Sequence, residues 1–258
     1  SQAATLQTTG SEFVLGRALN GSYPWKGWLD DVRVYDRALS AEEITLVMND
    51  QAVDEGEGGT SEGNGTVVDG LLAHFSFDGS LADTVDDDVG VATMTPQYGD
   101  GRHGGAVFFD GVNDKVTISA SNLPQGNAAR TLSLWAKDSE PGVVIWRFFA
   151  SWGSFDTLKA FGTARGEGSG VNRWMGYNHQ LDVSSSVALT GNWTHLALTH
   201  DGTLMKLYVD GALNGSQAAT LQTTGSNFVL GGSLNGDGWW KGWLDDVRVY
   251  DRALSAEE

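Results

Sequence analysis

Short stretches of alternating apolar and polar residues follow one another along most of the chain, a pattern typical of half-buried β-strands. In LLAHFSF at 71–77, apolar residues recur at every second position from Leu71 to Phe77, with His74 and Ser76 between them. Comparable stretches are AVFFDG, KVTIS, TLSLWAK, NWTHLALTH and MKLYVDG. Asp-Gly pairs at 201–202 and 210–211 are typical of hairpin turns. The pattern therefore predicts an all-β fold, a two-sheet antiparallel sandwich of the jelly-roll type.

One segment occurs twice, first from Ser1 to Glu43 and again from Ser216 to Glu258. The two copies differ only at Glu12/Asn227, Arg17/Gly232, Ala18/Ser233, Ser22/Asp237, Tyr23/Gly238 and Pro24/Trp239. Each copy contains GWLDDVRVYD, which alternates as a strand does: Val32 and Val34 fall on one face of the first copy, opposite Arg33. A chain with this repeat is expected to derive from a tandem array.

The repeat also suggests the domain boundaries. After the strand, Ser40 and Glu43 have the spacing of a capping box, which predicts one short helix after the final strand. Residues 49–67 then change to Gly, Asp, Glu, Ser and Thr, the composition of a flexible linker. We expect three parts: 1–48 as the C-terminal fragment of a preceding repeat, 49–67 as an acidic Gly-rich linker, and 68–258 as a complete domain.

Charge and composition narrow the classes of partner. A formal net charge of −17 disfavours nucleic acid and anionic membrane surfaces, since both carry the same sign of charge. No apolar run approaches the roughly 20 residues that cross a bilayer, so membrane insertion is not expected. The chain has no cysteine, and its redox compartment is therefore not indicated.

Five stretches in order carry a resemblance to a known family. They are LLAHFSFDGS, GRHGGAVFFDGVNDKV, TLSLWAK, NWTHLALTHDGTLMKLYVDG and KGWLDDVRVYDRALSAEEI. In this order they resemble bacterial laminin-G-like domains, which belong to the concanavalin A-like lectin/glucanase superfamily. The resemblance covers 68–258, with 1–48 as the tail of a preceding copy. It implies a jelly roll whose first and last strands are neighbours, acting as an extracellular or cell-surface module that binds glycans or protein partners.

The glucanase branch of the superfamily uses carboxylates in an E-x-D-x-(x)-E arrangement on one strand. This motif is absent, and the only glutamate between Glu62 and Glu167 is Glu140, in the turn-like DSEPG. We therefore expect a domain that is not an enzyme.

The resemblance also implies a structural calcium ion. Related glucanases hold calcium where the turn after the first strand meets an aspartate of the last strand, and Asp78 and Asp245 occupy these positions. Calcium prefers oxygen ligands from carboxylates and loop carbonyls, so Asp110 and Asp114 are weaker candidates. The alternative is that these aspartates only form turns and that the run at 86–88 is a solvated charge cluster.

A sugar-binding site needs an aromatic platform and planar polar groups, because a pyranose has apolar C–H faces and a rim of hydroxyls. The candidates for such a site are Trp146, Arg147, Trp152, Trp174, Tyr177, His179, Trp239 and Trp240. Their alternative role is core packing, which we predict for Trp135 and Trp193.

Two functions remain open. The first is a non-catalytic, calcium-assisted carbohydrate-binding module with a glycan or cell-surface partner. The second is a structural or adhesive repeat without a small ligand. Because the two copies are nearly identical, they compete for one position in the sandwich. We expect 216–258 to keep it, while 1–48 lies at an edge or pairs with another molecule, giving a homo-oligomer or strand exchange with a neighbouring repeat.

Overall fold

A computed structural model describes residues 69–86, 88–168, 171–178, 181–256 and 258. The predicted fragment 1–48, its helix after Ser40, and the linker 49–67 lie outside these residues, so the domain boundaries stay predictions.

The described residues contain fifteen β-strands. In chain order they are β1 (Leu71–Phe75), β2 (Val91–Ala92), β3 (Gln97–Asp100), β4 (Gly105–Asp110), β5 (Val116–Ser119), β6 (Arg130–Asp138), β7 (Arg147–Gly153), β8 (Ala160–Gly168), β9 (Val171–Tyr177), β10 (Val183–Ala188), β11 (Trp193–His200), β12 (Leu204–Val209), β13 (Ala212–Ala218), β14 (Asn227–Leu230) and β15 (Lys241–Tyr250). The described part has no helix, and 251–256 after β15 form only bends and irregular backbone. A short helix after the last strand is therefore not found there, and no described segment is a helix able to cross a membrane.

The strands form two antiparallel sheets, which confirms the predicted all-β sandwich. The eight-stranded sheet has the order β13-β12-β11-β6-β15-β4-β3, with β1 also paired to β15. The seven-stranded sheet has the order β10-β9-β8-β7-β14-β5-β2. Phe75 of β1 lies opposite Val247 of β15. The first and last strands are thus neighbours, as expected.

The second copy of the repeat contributes to both sheets. Its strand β14 lies between β7 and β5 in the seven-stranded sheet, and β15 lies between β6 and β4 in the eight-stranded sheet. Neither strand is at an edge. This segment therefore joins the central part of one sheet to the central part of the other.

The core lies between the sheets and follows the predicted alternation. Phe75 and Phe77 at the start of the domain are 1% exposed, and the Phe75 ring centroid is 6.2 Å from that of Phe228 on β14. On β15, Val247 and Val249 are fully buried in the same core. Each such side chain contributes about 1.5–3 kcal/mol to folding, so residues from opposite ends of the domain stabilise one core.

Candidate functional site

The outer face of the seven-stranded sheet carries a second apolar cluster, separate from the core. We call the rings of Trp146, Phe148, Phe155 and Tyr177 the outer aromatic patch. Phe148 and Tyr177 are in edge contact, with centroids 4.8 Å apart. Trp146 stacks beside Phe148 at 6.3 Å, and Phe155 stacks beside Tyr177 at 6.2 Å. The four rings therefore form one continuous aromatic surface.

Local backbone features place these rings on the outer face. A register shift between Phe148 and Ala150 marks a bulge in β7. Because of this bulge, Phe148 points outward, while Phe149 and Ala150 both join the core. Along β8 the outward positions are small residues, including Ala164 opposite Phe148. A side chain at Gly166 would lie 2.7 Å from the Trp146 ring. The small residues thus leave room for the rings to lie close to the sheet.

The accessible part of the patch is its edge. Trp146 is 36% exposed, whereas Phe148 and Tyr177 are only 5% and 4% exposed. Phe155 and the nearby Trp239 are half-buried. The two buried rings support the others from below, so a ligand would contact mainly Trp146, Phe155 and Trp239.

Residues 232–239, which we call the 232–239 loop, border the patch. The Phe148 backbone N–H donates to the Gly238 carbonyl at 2.9 Å, which joins the loop to β7. Within the loop, the Ser233 hydroxyl donates to Asp237 Oδ1 at 2.6 Å, and Asn235 Nδ2 donates to Asp237 Oδ2 at 3.2 Å. Asn235 and Asp237 are exposed. The loop thus places planar polar side chains at the rim of an aromatic surface.

The phenol of Tyr177 is a neutral, buried part of the patch. Burial raises the pKa of its phenol, and the negative charges of Asp182 and Asp237 raise it further. The hydroxyl therefore stays protonated across the physiological range.

Two arginines hold the loop that carries Trp146. Arg165 forms an ion pair with Asp138, and both side chains are fully buried. Its guanidinium also donates to the carbonyls of Glu140 at 2.8 Å and Val143 at 2.7 Å. Arg147, a predicted ligand-binding residue, is buried and donates to Glu140 Oε2 at 2.8 Å. The position of Arg147 suits it to stabilise the loop rather than to contact a ligand directly.

Glu140 is held by two cations. Lys241 Nζ lies 2.7 Å from its Oε1, on the side of the carboxylate opposite Arg147. Hydrogen bonds from Lys241 and Arg147 lower the pKa of Glu140. A general acid needs a raised pKa to keep its proton. The lowered pKa of Glu140 therefore suits a structural role as a paired anion.

The predicted aromatic platform divides into two groups. Trp146 and Tyr177 belong to the outer aromatic patch, and Trp239 lies in the loop that borders it. Trp152, Trp174 and Trp240 are 0%, 1% and 0% exposed. Placing these three in a surface platform is wrong, because they face the opposite sheet and belong to the core. His179 lies outside the described residues.

Sequence reasoning also misplaced or missed other aromatic residues. Trp135 and Trp193, predicted as core, are half-buried on the outer face of the eight-stranded sheet, where Trp135 contacts the His195 ring at 5.1 Å. The neighbours of Trp135, Leu134 and Ala136, occupy the core positions instead. Phe148 and Phe155 were missed, since a bulge and a loop contact leave no periodic signal.

The predicted calcium ligands Asp78 and Asp245 both contact the loop 101–105. Asp245 Oδ2 accepts backbone N–H groups of Arg102 at 2.7 Å and His103 at 2.8 Å, and Asp78 Oδ1 accepts that of Gly105. Asp245 is fully buried, and its Oδ1 has no hydrogen-bond partner in the described structure. Burial raises the pKa of Asp245 to about 7, and the charges of Asp246 and Asp78 add to the increase.

These features fit a cation, since a buried carboxylate oxygen without a partner next to a second carboxylate is stabilised by positive charge. Among the described residues, no three carboxylate, imidazole or thiol groups are grouped to share a metal. A calcium ion held by Asp78 and Asp245 would therefore take its other ligands from backbone carbonyls and water.

Asp110 and Asp114 have a different role. Asp114 Oδ2 accepts the Asp110 backbone N–H at 2.9 Å, and Asp110 Oδ1 accepts that of Val112 at 2.8 Å. Both side chains therefore stabilise the turn between β4 and β5, which favours the turn-forming alternative for this pair.

The eight-stranded sheet has a cavity of about 280 Å³ on its outer face. The residues that line it include His195, Tyr208, Arg248 and Tyr250. Its volume lies just below the roughly 300–1,000 Å³ of typical ligand pockets. Arg248 there is already paired with Asp246 at 2.8 Å. The outer aromatic patch, with its rim of exposed polar groups, is therefore the stronger candidate site.

A family model described as the concanavalin A-like lectin/glucanases superfamily matches residues 1–45 and 109–258. The chain belongs to this superfamily. The match confirms the resemblance inferred from sequence and includes both copies of the repeat. No curated protein sequence matches the chain.

Solved structures share the superfamily fold. Domain 4 of an extracellular arabinanase from Geobacillus stearothermophilus, solved in complex with arabinotriose, is 24% identical, with a TM-score of 0.58 over 72% of this chain and 94% of that one. The receptor-binding domain of botulinum neurotoxin D is 18% identical, with a TM-score of 0.57 over 74% and 52%. The binding domain of Paraclostridial Mosquitocidal Protein 1 is 15% identical, with a TM-score of 0.56 over 72% and 50%. The chain thus spans about half of the two toxin chains.

Proposed function

We propose that the described domain is a non-catalytic carbohydrate-binding module whose site is the outer aromatic patch together with the 232–239 loop. The observation that carries the proposal is the combination of partly exposed rings at Trp146, Phe155 and Trp239 with the exposed planar side chains of Asn235 and Asp237. Ligand sites typically combine apolar and aromatic walls with a few placed polar groups.

The chemistry suits a neutral glycan. The apolar C–H face of a sugar ring stacks on an indole or phenyl ring, while its hydroxyls bond to Asn235 and Asp237. The net charge of −17 repels sulfated or otherwise anionic sugars. A structural neighbour, the arabinanase domain solved with arabinotriose, supports the glycan class. Within this proposal, the domain acts at the cell surface or outside the cell, as part of a larger protein.

The test is a glycan screen followed by titration calorimetry on the best ligand. Trp146→Ala and Trp239→Ala are each expected to weaken binding by about tenfold, typical of losing an aromatic contact worth about 1.4 kcal/mol. Trp193→Ala is the matched control, since this half-buried Trp lies on the outer face of the other sheet. A ligand lost equally in all three variants, or no ligand in the screen, contradicts the proposal.

We also propose a structural calcium ion held by Asp78 and Asp245. Calcium would neutralise the buried carboxylates and join the loop 101–105 to β15. Adding calcium to metal-free protein is expected to raise the melting temperature of the wild type and of Asp114→Asn, but not of Asp245→Asn. Equal effects on all three, or no effect on the wild type, rule out this site.

A second function is favoured by the exposed apolar run Val143, Val144 and Ile145, which are 44%, 48% and 46% exposed. Exposed apolar patches often mark protein contacts. In this alternative the domain is an adhesive repeat that contacts another protein or a second copy of itself. Sedimentation velocity across a range of concentrations tests for self-association, and Val144→Lys should abolish it.

A further inference from the structure

The differences between the two copies of the repeat are concentrated at the candidate site. Five of the six differing pairs fall within the 232–239 loop, whereas 228–231 and 240–258 are identical to their counterparts. The sixth pair, Glu12/Asn227, lies at the start of β14. The framework of the strands is therefore constant while the border of the outer aromatic patch varies.

The sequence of the first copy does not fit the conformation of the 232–239 loop. Gly238 has a φ of +57°, and a side chain there would lie 2.6 Å from the Phe148 ring. The first copy has Tyr23 at this position, followed by Pro24. A tyrosine is strained at positive φ, and a residue before proline prefers extended backbone. The sequence of the first copy is therefore incompatible with the backbone path that the 232–239 loop takes.

The two copies also differ in which loop position carries the large side chain. In the 232–239 loop, the Trp239 ring lies over Gly232, where an added side chain would come within 2.9 Å of the indole. The first copy exchanges both members of this pair, with Arg17 for the glycine and Pro24 for the tryptophan. The proline vacates the space that a side chain at 232 needs. Between the two copies, the sequence thus exchanges an indole for a guanidinium within this loop.

The exchange reverses the charge of the loop. Asp237 is the one ionisable residue of 232–239, whereas the first copy has Ser22 at that position and gains Arg17. A guanidinium forms paired hydrogen bonds with carboxylates. An aspartate repels carboxylates because it carries the same charge.

We propose that the 232–239 loop sets the glycan selectivity of the outer aromatic patch, and that the two copies encode opposite selectivities. The loop with Asp237 and Trp239 selects neutral glycans, and the sequence with Arg17 and Pro24 selects glycans that carry uronic acid carboxylates. The inference rests on the proposed function of the patch.

The experiment compares the full chain with a loop-exchange variant. The variant carries Gly232→Arg, Ser233→Ala, Asp237→Ser, Gly238→Tyr and Trp239→Pro. The matched control is Asn227→Glu, the sixth difference, which lies outside the loop. All three proteins are screened on one panel of neutral and uronic-acid-containing oligosaccharides, and the ratio of neutral to acidic binding is measured at low and high salt.

The parent and the control are expected to prefer neutral glycans, with the ratio shifting by about tenfold or more toward acidic glycans in the variant. The acidic binding gained should weaken at high salt, because salt screens exposed charges. An unchanged ratio in the variant overturns the inference while the proposed function stands. If the parent binds no glycan, both the inference and the proposed function are contradicted.

A second variant keeps the inference testable if the full exchange does not fold. Gly232→Arg with Trp239→Ala retains Gly238 and the present backbone path. It replaces the indole by a guanidinium alone, so a shift toward acidic glycans is still expected. A folded double variant with the parental ratio overturns the inference.

Discussion

The buried ion pair between Arg165 and Asp138 offers a sharp test of how the patch is held. Both side chains are 0% exposed, and burial lowers the pKa of Arg165 while the charge of Asp138 opposes that decrease. Asp138→Asn removes the opposite charge but keeps the shape of the side chain. The guanidinium is then buried without a counter-ion.

Removing one partner of such a pair costs about 3–5 kcal/mol, because the remaining charge loses its compensation. With a urea m-value of about 2 kcal/mol/M, the unfolding midpoint should fall by roughly 1.5–2.5 M. The assay is urea unfolding followed by tryptophan fluorescence. Asp156→Asn is the control, since its pair with Lys159 is exposed at 58% and 37%, and it should cost under about 1 kcal/mol.

The double variant Asp138→Leu with Arg165→Met completes the test. Replacing both charges with apolar groups leaves no unpaired ion, so the double variant should be more stable than Asp138→Asn. It should nevertheless lose glycan affinity, because Arg165 also bonds to the carbonyls of Glu140 and Val143 in the loop before Trp146. An Asp138→Asn variant no less stable than Asp156→Asn refutes the reasoning.

Three further outcomes are expected. Gly231→Ala should lower stability by about 1–3 kcal/mol in thermal unfolding, since Gly231 has a φ of +82° and an added side chain would overlap the Phe109 ring. Hydrogen bonds from Thr203 and Leu204 lower the pKa of Asp201 to about 2, below the ~3.9 of an unfolded aspartate. Its stabilising effect is therefore complete above pH 4 and lost toward pH 2, so Asp201→Asn should differ from wild type at pH 5 but not at pH 2. Deleting 1–66 should leave the melting temperature unchanged and the protein still monomeric in light scattering if 216–258 closes the sandwich; a change in either contradicts this arrangement.

Much of the fold was predictable because its signals are local. The alternation in β1 and β15 correctly identified their buried faces, and the Asp-Gly pairs correctly located turns. Asp210 and Gly211, for example, both have positive φ, at 49° and 78°, as a two-residue hairpin turn requires. Such features depend on a few adjacent residues.

The site was less predictable because it depends on which face a residue occupies. In β7, the bulge places Phe148 outside and Phe149 inside, and no hydrophobic pattern distinguishes two adjacent phenylalanines. Trp146 and Trp152 are six residues apart, an even spacing that predicts one face of a strand, but they lie at the surface and in the core. An extra residue in one strand changes the face of every residue after it.

The pairing of β1 with β15 has a consequence for the order of events during synthesis. The partner of β1 is the last strand of the domain, whereas 26–35, identical in sequence to β15 at 241–250, is translated before β1. During synthesis β1 is therefore available to the earlier copy before β15 exists, and we expect the two copies to compete for it. Refolding of the full chain should accordingly show a slow phase in stopped-flow fluorescence that deletion of 1–66 removes, and equal kinetics for both chains would show that the earlier copy never competes.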